Sequence, residues 1–340
     1  VIYGHSFAVN PSPGMGSDLI FAATGFYAGD LAIKGFFLLS GFLVTDSILS
    51  HRSILRYGIS RFFRIWPPLA VAVLLTALVL GPMVTSLPLA EYFTGKGVWT
   101  YIRKTLLLQN WGGQSLGYFD LPGVFKANAY PANVNAPLWS LTAEVFAYLL
   151  VALAFLSTGL QRPAAIVIFA VIVVDSLLPE KVLFYWLPQQ STDFSALPYC
   201  FGLGAMLAVF KDRVVLTPWA IIGLLAFAQV FVGSALHHLL TYSAFLVAMF
   251  LVATSRALRA LTLRHDISYG VFLYGWPIQQ ALNQAFPGWP HVASLLAAVV
   301  LAYMFGLASC LLIEEPSQAL GKRLTRALLP AEPGRADRPV

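Results

Sequence analysis

The stretch KGFFLLSGFLVTDSILSHRSILRYGISRFFRIWPP, residues 34–68, decides the fold. It reads as an apolar segment, a basic connection, then a second apolar segment opening on two prolines. The connection holds Arg52, Arg56, Arg61 and Arg64 and no carboxylate after Asp46. Arginines beside a hydrophobic span mark the cytoplasmic side of a membrane. One stretch thus predicts membrane class, orientation and a candidate anion site.

Composition agrees. The 340 residues are 58% hydrophobic and only 11% charged, with a mean hydropathy of +0.74. A soluble domain carries roughly 25% charged residues. The expected fold class is therefore all-α, a polytopic transmembrane helical bundle of about ten spans. The net charge of +6 is then topology rather than a nucleic-acid footprint, and no nucleic-acid partner is expected. Cys200 and Cys310 both sit in apolar runs, which argues against a disulfide framework.

Working outward from the opening stretch, span 2 is expected over about 31–48 and span 3 from Pro67–Pro68 to about Leu80. Proline suits the first turn of a helix, where its missing N–H is not needed. Upstream, VIYGHSFAV is short of the ~20 residues a span requires. It is expected to be the outer half of a first helix whose start lies before Val1. Downstream, a polar and aromatic section covers 84–137, with VWTYIRKTLLLQN as an interfacial helix. Spans 4 to 10 are expected at about 138–156, 163–178, 195–210, 217–233, 238–254, 267–284 and 290–313. The transmembrane domain is set at 1–313. A charged cytoplasmic tail, 314–340, is expected to be disordered.

The charges test this topology. With the N-terminus inside, cytoplasmic segments carry 15 of the 21 Lys and Arg. The outer segments carry Lys96, Arg103, Lys104, Lys126 and Lys181, and Lys34 belongs to span 2. That bias fits a ten-span membrane protein with both termini cytoplasmic.

Several residues could carry chemistry. Arg61 and Arg64, three apart, share one helix face. They lie near a helix start that itself favours an anion, so they suit a phosphate clamp. From spacing alone, ordinary positive-inside anchoring is the stronger reading of the two. His5 lies roughly 9 Å below the outer end of span 1, and Glu144 roughly 10 Å below that of span 4. A carboxylate so deep must face protein or a watery cavity. Ser140, Glu144 and Tyr148 form one polar stripe at i, i+4, i+8. The similar depths suit a buried cavity where imidazole and carboxylate work together. A hydrogen-bonded core histidine and an interhelical hydrogen bond are the plainer readings. Asp30 and Lys34, i and i+4, read as a neutralised pair. His237–His238 has no metal-ligand spacing, and no metal site is expected. Glycines 35 and 41 read as close helix packing. No nucleotide-binding P-loop, GxSxG elbow or HExxH is present.

Taken in order, KGFFLLSGFL, SRFFRIWP, LPGVF, NAPLWSLTAEVFAY, ISYGVFLYGWPIQ and LIEEPSQ resemble the membrane acyltransferase-3 family over nearly the whole chain. No single motif is specific, but the ordered set is. The resemblance implies about ten helices with cytoplasmic termini. It implies O-acylation, most often acetylation, of an extracytoplasmic glycan or lipid-linked saccharide. Acyl-CoA would be the donor substrate, with no permanently bound cofactor. It further implies an essential histidine at His5 and donor binding at Arg61 and Arg64, and its Trp-Ser-Leu…Glu…Tyr element falls on Trp139, Ser140, Leu141, Glu144 and Tyr148. Of these, Trp139, Ser140 and Tyr148 are expected to bind substrate, and Glu144 to act in catalysis by orienting His5 and stabilising its charged form. Two departures stand out. The family's arginine upstream of the histidine would precede Val1. The usual acidic residue before Phe36–Phe37 is replaced around Lys34–Gly35. Ten spans with buried polar residues fit a glycan or lipid transporter as well, although the paired halves common in transporters are not evident.

Overall fold

The computed structural model describes residues 1–11, 18–109, 120–184, 196–255 and 264–329. Trp111, Tyr118, Arg256, Arg259, Arg335 and Arg338 lie outside these residues. Within them the chain is all-α, and the one β feature is an isolated antiparallel bridge between Thr85 and Val124. Long helices satisfy their own backbone groups, which is the condition for crossing lipid.

The helices are α1 (Ile2–Val9), α2 (Leu19–Thr24), α3 (Ala28–His51), α4 (Ile54–Leu75), α5 (Gly81–Val84), α6 (Leu89–Thr94), α7 (Lys96–Leu106), α8 (Trp139–Thr158), α9 (Arg162–Leu177), α10 (Leu197–Val209), α11 (Pro218–Ala228), α12 (Ala235–Ala253), α13 (Ser268–Ala285), α14 (His291–Ser309) and α15 (Glu315–Leu328). Thr76–Leu80 and Cys310–Glu314 are π-helical and join α4 to α5 and α14 to α15. Among the described residues five stretches are long and apolar enough to cross a membrane: Ala28–His51, Ile54–Val84, Ala136–Thr158, Ala235–Ala253 and His291–Leu328. Leu197–Val209 and Pro218–Phe231 are shorter apolar helices. The protein is a polytopic membrane bundle, and a helix stands at each expected span.

Two expectations need correcting. The basic connection after span 2 is almost entirely helix. Arg52 takes a left-handed φ of 50° and closes α3. Ser53 then caps α4, its hydroxyl accepting from the Arg56 N–H at 3.3 Å. Pro67 and Pro68 therefore lie inside α4, not at its start. An interior proline deprives the carbonyl four residues earlier of its donor. For Pro67 that carbonyl is Phe63, and the Ser317 hydroxyl donates to it at 2.9 Å. This bond explains the second correction: 315–328 is not a disordered tail but helix α15, docked along α4. Gly321 of α15 packs flat on the Phe63 ring.

The same device recurs in α13. Pro277 leaves the Leu273 carbonyl free, and Asn135 Nδ2 donates to it at 2.9 Å. The segment before α8 is thereby pinned to α13. Elsewhere α3 crosses α10 at backbone distance. A Cβ on Gly41 would sit 2.1 Å from the Phe201 carbonyl oxygen, and one on Gly204 2.0 Å from that of Leu38. Only glycine fits either position. The helix expected from VWTYIRKTLLLQN is α7. It buries Val98, Tyr101 and Thr105 against α4, and Trp66 Nε1 donates to the Leu106 carbonyl at 3.2 Å.

Candidate active site

Glu144 is buried in α8 and is claimed by two hydroxyls. Ser40 Oγ of α3 donates to it at 3.0 Å, and the Tyr148 phenol, one turn along α8, donates to the same oxygen. Ser40 and Tyr148 are themselves 3.0 Å apart. The Tyr57 phenol of α4 donates to the Tyr148 carbonyl at 2.9 Å. The carboxylate thus ties α8 to α3, and the hydrogen bonds it accepts offset its desolvation; Tyr57 joins α4 to α8 beside it.

The arginines of RFFR approach this network from α4. The Arg61 guanidinium lies 5.8 Å from the centre of the Tyr148 ring. It reaches Ser60 Oγ at 3.3 Å, while its Nε is buried with no hydrogen-bond partner. Arg64 is differently placed. It bonds Asp266 at 2.7 Å, sits 3.6 Å from buried Glu314 and faces the Tyr269 ring at 5.9 Å. Tyr269 in turn donates to the Ile65 carbonyl at 3.1 Å. Arg64 therefore clamps α4 to the start of α13 and the end of α14, whereas Arg61 keeps donor capacity in hand.

His5 sits in a second cluster. Its ring packs edge-on against Trp276 of α13, centroids 4.9 Å apart and planes at 81°. Tyr130, from the segment before α8, meets the same indole at 5.2 Å and 88°. Trp276 Nε1 donates to the Asn133 carbonyl at 2.9 Å, which fixes the indole between the two. No hydrogen bond joins His5 to Glu144 among the described residues. Glu144 is bonded to Ser40 and Tyr148, and the His5 ring rests on Trp276.

Of the other expected site residues, Ser140 spends its hydroxyl on the Pro137 carbonyl at 2.9 Å. Trp139 is half-buried against the core. The Asp30–Lys34 pair forms as expected. Lys34 is wholly buried and its ammonium stands 4.3 Å from the Tyr242 ring centre, a cation–π contact. Residues not singled out from sequence complete the two clusters: Ser40, Tyr57, Tyr269 and Glu314 on one side, Trp276 on the other. All lie in motifs quoted for the resemblance or beside them, but nothing in their spacing reveals a partner on another helix.

The two clusters are joined by α13. Tyr269, against Arg64, and Trp276, against His5, are seven residues apart, so they share a face about 10 Å apart along the axis. Buried Leu273 fills the space between them.

Comparison with known proteins bears on what such a bundle does. The model of the acyltransferase domain family Acyl_transf_3 matches residues 1–315. An O-acetyl transferase of Shigella phage Sf6 is 25% identical over 318 residues, covering 91% of this chain and 89% of that protein. Nodulation protein 10 of Rhizobium leguminosarum bv. viciae is 26% identical over 345 residues, covering 89% of this chain and 84% of that protein. No solved structure matches. With the match running from His5 through the RFFR and Glu144 elements to Glu314, the chain belongs to the acyltransferase-3 family and is a membrane-embedded transferase of acyl groups other than amino-acyl groups.

Proposed function

We propose that the protein transfers an acyl group, acetyl in the simplest case, from cytosolic acyl-CoA to a hydroxyl of an extracytoplasmic glycan or lipid-linked saccharide. The observation that carries this reading is the arrangement along α13. Arg64 of α4 stands against Tyr269 and His5 of α1 against Trp276, two residues of one α13 face about 10 Å apart along the axis. The phage relative's name supports the acetyl group.

In this scheme Arg61, whose Nε has no partner, takes the phosphates of the donor through charge-assisted bonds. Arg64 holds the clamp that positions it. The acyl thioester reaches past Leu273 toward Trp276. His5 removes the proton from the acceptor hydroxyl as the oxygen attacks the thioester carbonyl. The new C–O bond forms, the C–S bond breaks, and the proton held by His5 passes to the departing CoA thiolate. A hydroxyl is a weak nucleophile at neutral pH, and imidazole is the side chain suited to activate it there. Glu144 does not orient His5 in this scheme. It anchors α8 to α3 beneath Arg61.

The test is transfer of label from acetyl-CoA to de-O-acylated envelope glycan by purified protein. His5→Ala is expected to lower turnover by roughly 10²–10⁴-fold in protein that still inserts and retains its thermal stability. Near-normal turnover would remove His5 from the mechanism. Absence of label in the glycan with wild-type protein would refute the reaction itself.

A further inference from the structure

A widened turn joins α14 to α15. Pro316 has no N–H to offer the Leu312 carbonyl, and the ladder opens there into the π-helical turn Cys310–Glu314. Its bonds run between residues five apart instead of four. In an α-helix, side chains five residues apart point about 140° away from each other. Here they meet. Ser309 Oγ donates to Glu314 Oε1 at 3.0 Å, and the Cys310 thiol donates to Glu315 Oε1 at 3.7 Å.

The second pair has a third member from another part of the chain. His265, just ahead of α13, brings Nδ1 to 2.7 Å from the same Glu315 oxygen. The imidazole nitrogen, the thiol sulfur and the carboxylate oxygen all lie within 4.8 Å of one another. Ligand atoms on one tetrahedral zinc ion stand roughly 3.3–3.6 Å apart, given bond lengths of about 2.0–2.3 Å. Small side-chain shifts therefore turn the cluster into a ligand set. An ion pair alone accounts for the imidazole and the carboxylate, but not for the thiol. Cys310 is buried while His265 and Glu315 are partly exposed, so a cation enters on their side and meets sulfur at the floor. No motif marks these residues in sequence, because His265 and Cys310 lie far apart in the chain.

We propose that His265, Cys310 and Glu315 form a zinc site. One nitrogen, one sulfur and one oxygen suit a borderline-soft divalent cation, whereas Mg²⁺ and Ca²⁺ favour oxygen alone. On binding, the thiol releases its proton to solvent. The neutral imidazole binds through Nδ1 and carries its proton on Nε2. Water takes the fourth position. The site fastens the start of α13 to the joint between α14 and α15. Asp266 and Glu314, the two carboxylates beside Arg64, each adjoin a ligand in sequence, so an occupied site stiffens that clamp. The inference does not depend on the acyl-transfer reading.

The test uses the full-length protein in detergent, purified without a histidine tag and stripped with chelator. Co²⁺ is titrated first, as a spectroscopic stand-in, and Zn²⁺ second. Wild-type protein is expected to take up a single equivalent of Co²⁺ with a sulfur-to-cobalt charge-transfer band in the near ultraviolet. An equivalent of Zn²⁺ should remove the band and raise the melting temperature, as a ligand of the folded state does. Cys310→Ser should abolish the band, while Cys200→Ser, which changes the other buried cysteine, should keep it. His265→Ala and Glu315→Ala should weaken Zn²⁺ binding by roughly tenfold or more. If Cys310→Ser does not fold, His265→Ala, at a partly exposed position, decides the matter alone. Wild-type protein without the band, a band that survives Cys310→Ser, or Zn²⁺ affinity unchanged in His265→Ala would overturn the site.

Discussion

Arg61 and Arg64 look equivalent in sequence, and the structure separates them. Arg61 touches a ring and a neighbouring serine. Arg64 is shared between Asp266 and Glu314. Arg61→Ala should raise the donor KM by roughly tenfold or more, as expected for a lost charge-assisted hydrogen bond, with little change in melting temperature. Arg64→Ala should lower melting temperature as well. Its cost has a pH signature. Partial desolvation raises the Asp266 carboxyl, but the Ser268 hydroxyl and Arg64 outweigh it and hold the group below its ordinary 3.8. A depressed carboxylate stabilises the fold above its unfolded pKa, and that stability is lost as pH falls through the folded value. The difference between wild type and Arg64→Ala should therefore shrink as pH falls from neutral through the carboxylate range, read by thermal denaturation in detergent.

Glu144 makes a different point. Its hydroxyl partners stand at hydrogen-bonding distance and His5 is not among them. Glu144→Ala should cost about 1–3 kcal/mol of stability for the stranded Ser40 and Tyr148 hydroxyls. Glu144→Gln, which can still accept from both, should keep most of the fold and substantial turnover. A Gln variant that is stable but inactive would restore a chemical role to this carboxylate. The sequence showed that such a deep acid must have a partner, because burial without one is too costly. It could not show which partner, because Ser40 and Glu144 are 104 residues apart.

The helices themselves were legible from hydropathy, and their joints were not. Prolines 67 and 68 read as a helix start because an interior proline is normally excluded. What overrides that rule is a hydroxyl supplied from Ser317, far along the chain. The same holds for Pro277 and Asn135. This gives a test by double-mutant cycle. Ser317→Ala should cost about 1 kcal/mol in the wild-type background. It should cost markedly less beside Pro67→Ala, where residue 67 regains an N–H for the Phe63 carbonyl. Equal costs in both backgrounds would show that the serine contributes nothing through that bond. Docking of α15 on α4 also explains why a charged, Leu-containing stretch, read as a solvated tail, is ordered at 315–328.

For the molecule entire, the arginine bias predicts which ends of the bundle face the cytoplasm. Cys200 and Cys310 are both buried, so engineered thiols can be read against a low background. Glu180→Cys, just after α9, should react with a membrane-impermeant maleimide from outside. Asp212→Cys, just after α10, should react only once the membrane is opened. Labelling in the opposite order would invert the bundle and separate His5 from the face assigned to the acceptor.

The crossing of α3 and α10 limits how this protein can breathe. Each helix places a glycine directly under a carbonyl of the other, so the two slide or part only by breaking contact along their whole length. They form the fixed wall of the bundle. Room for an acyl chain must then come from elsewhere, and α4 meets α8 and α13 through phenols and guanidinium groups that can swing aside without unpacking a backbone.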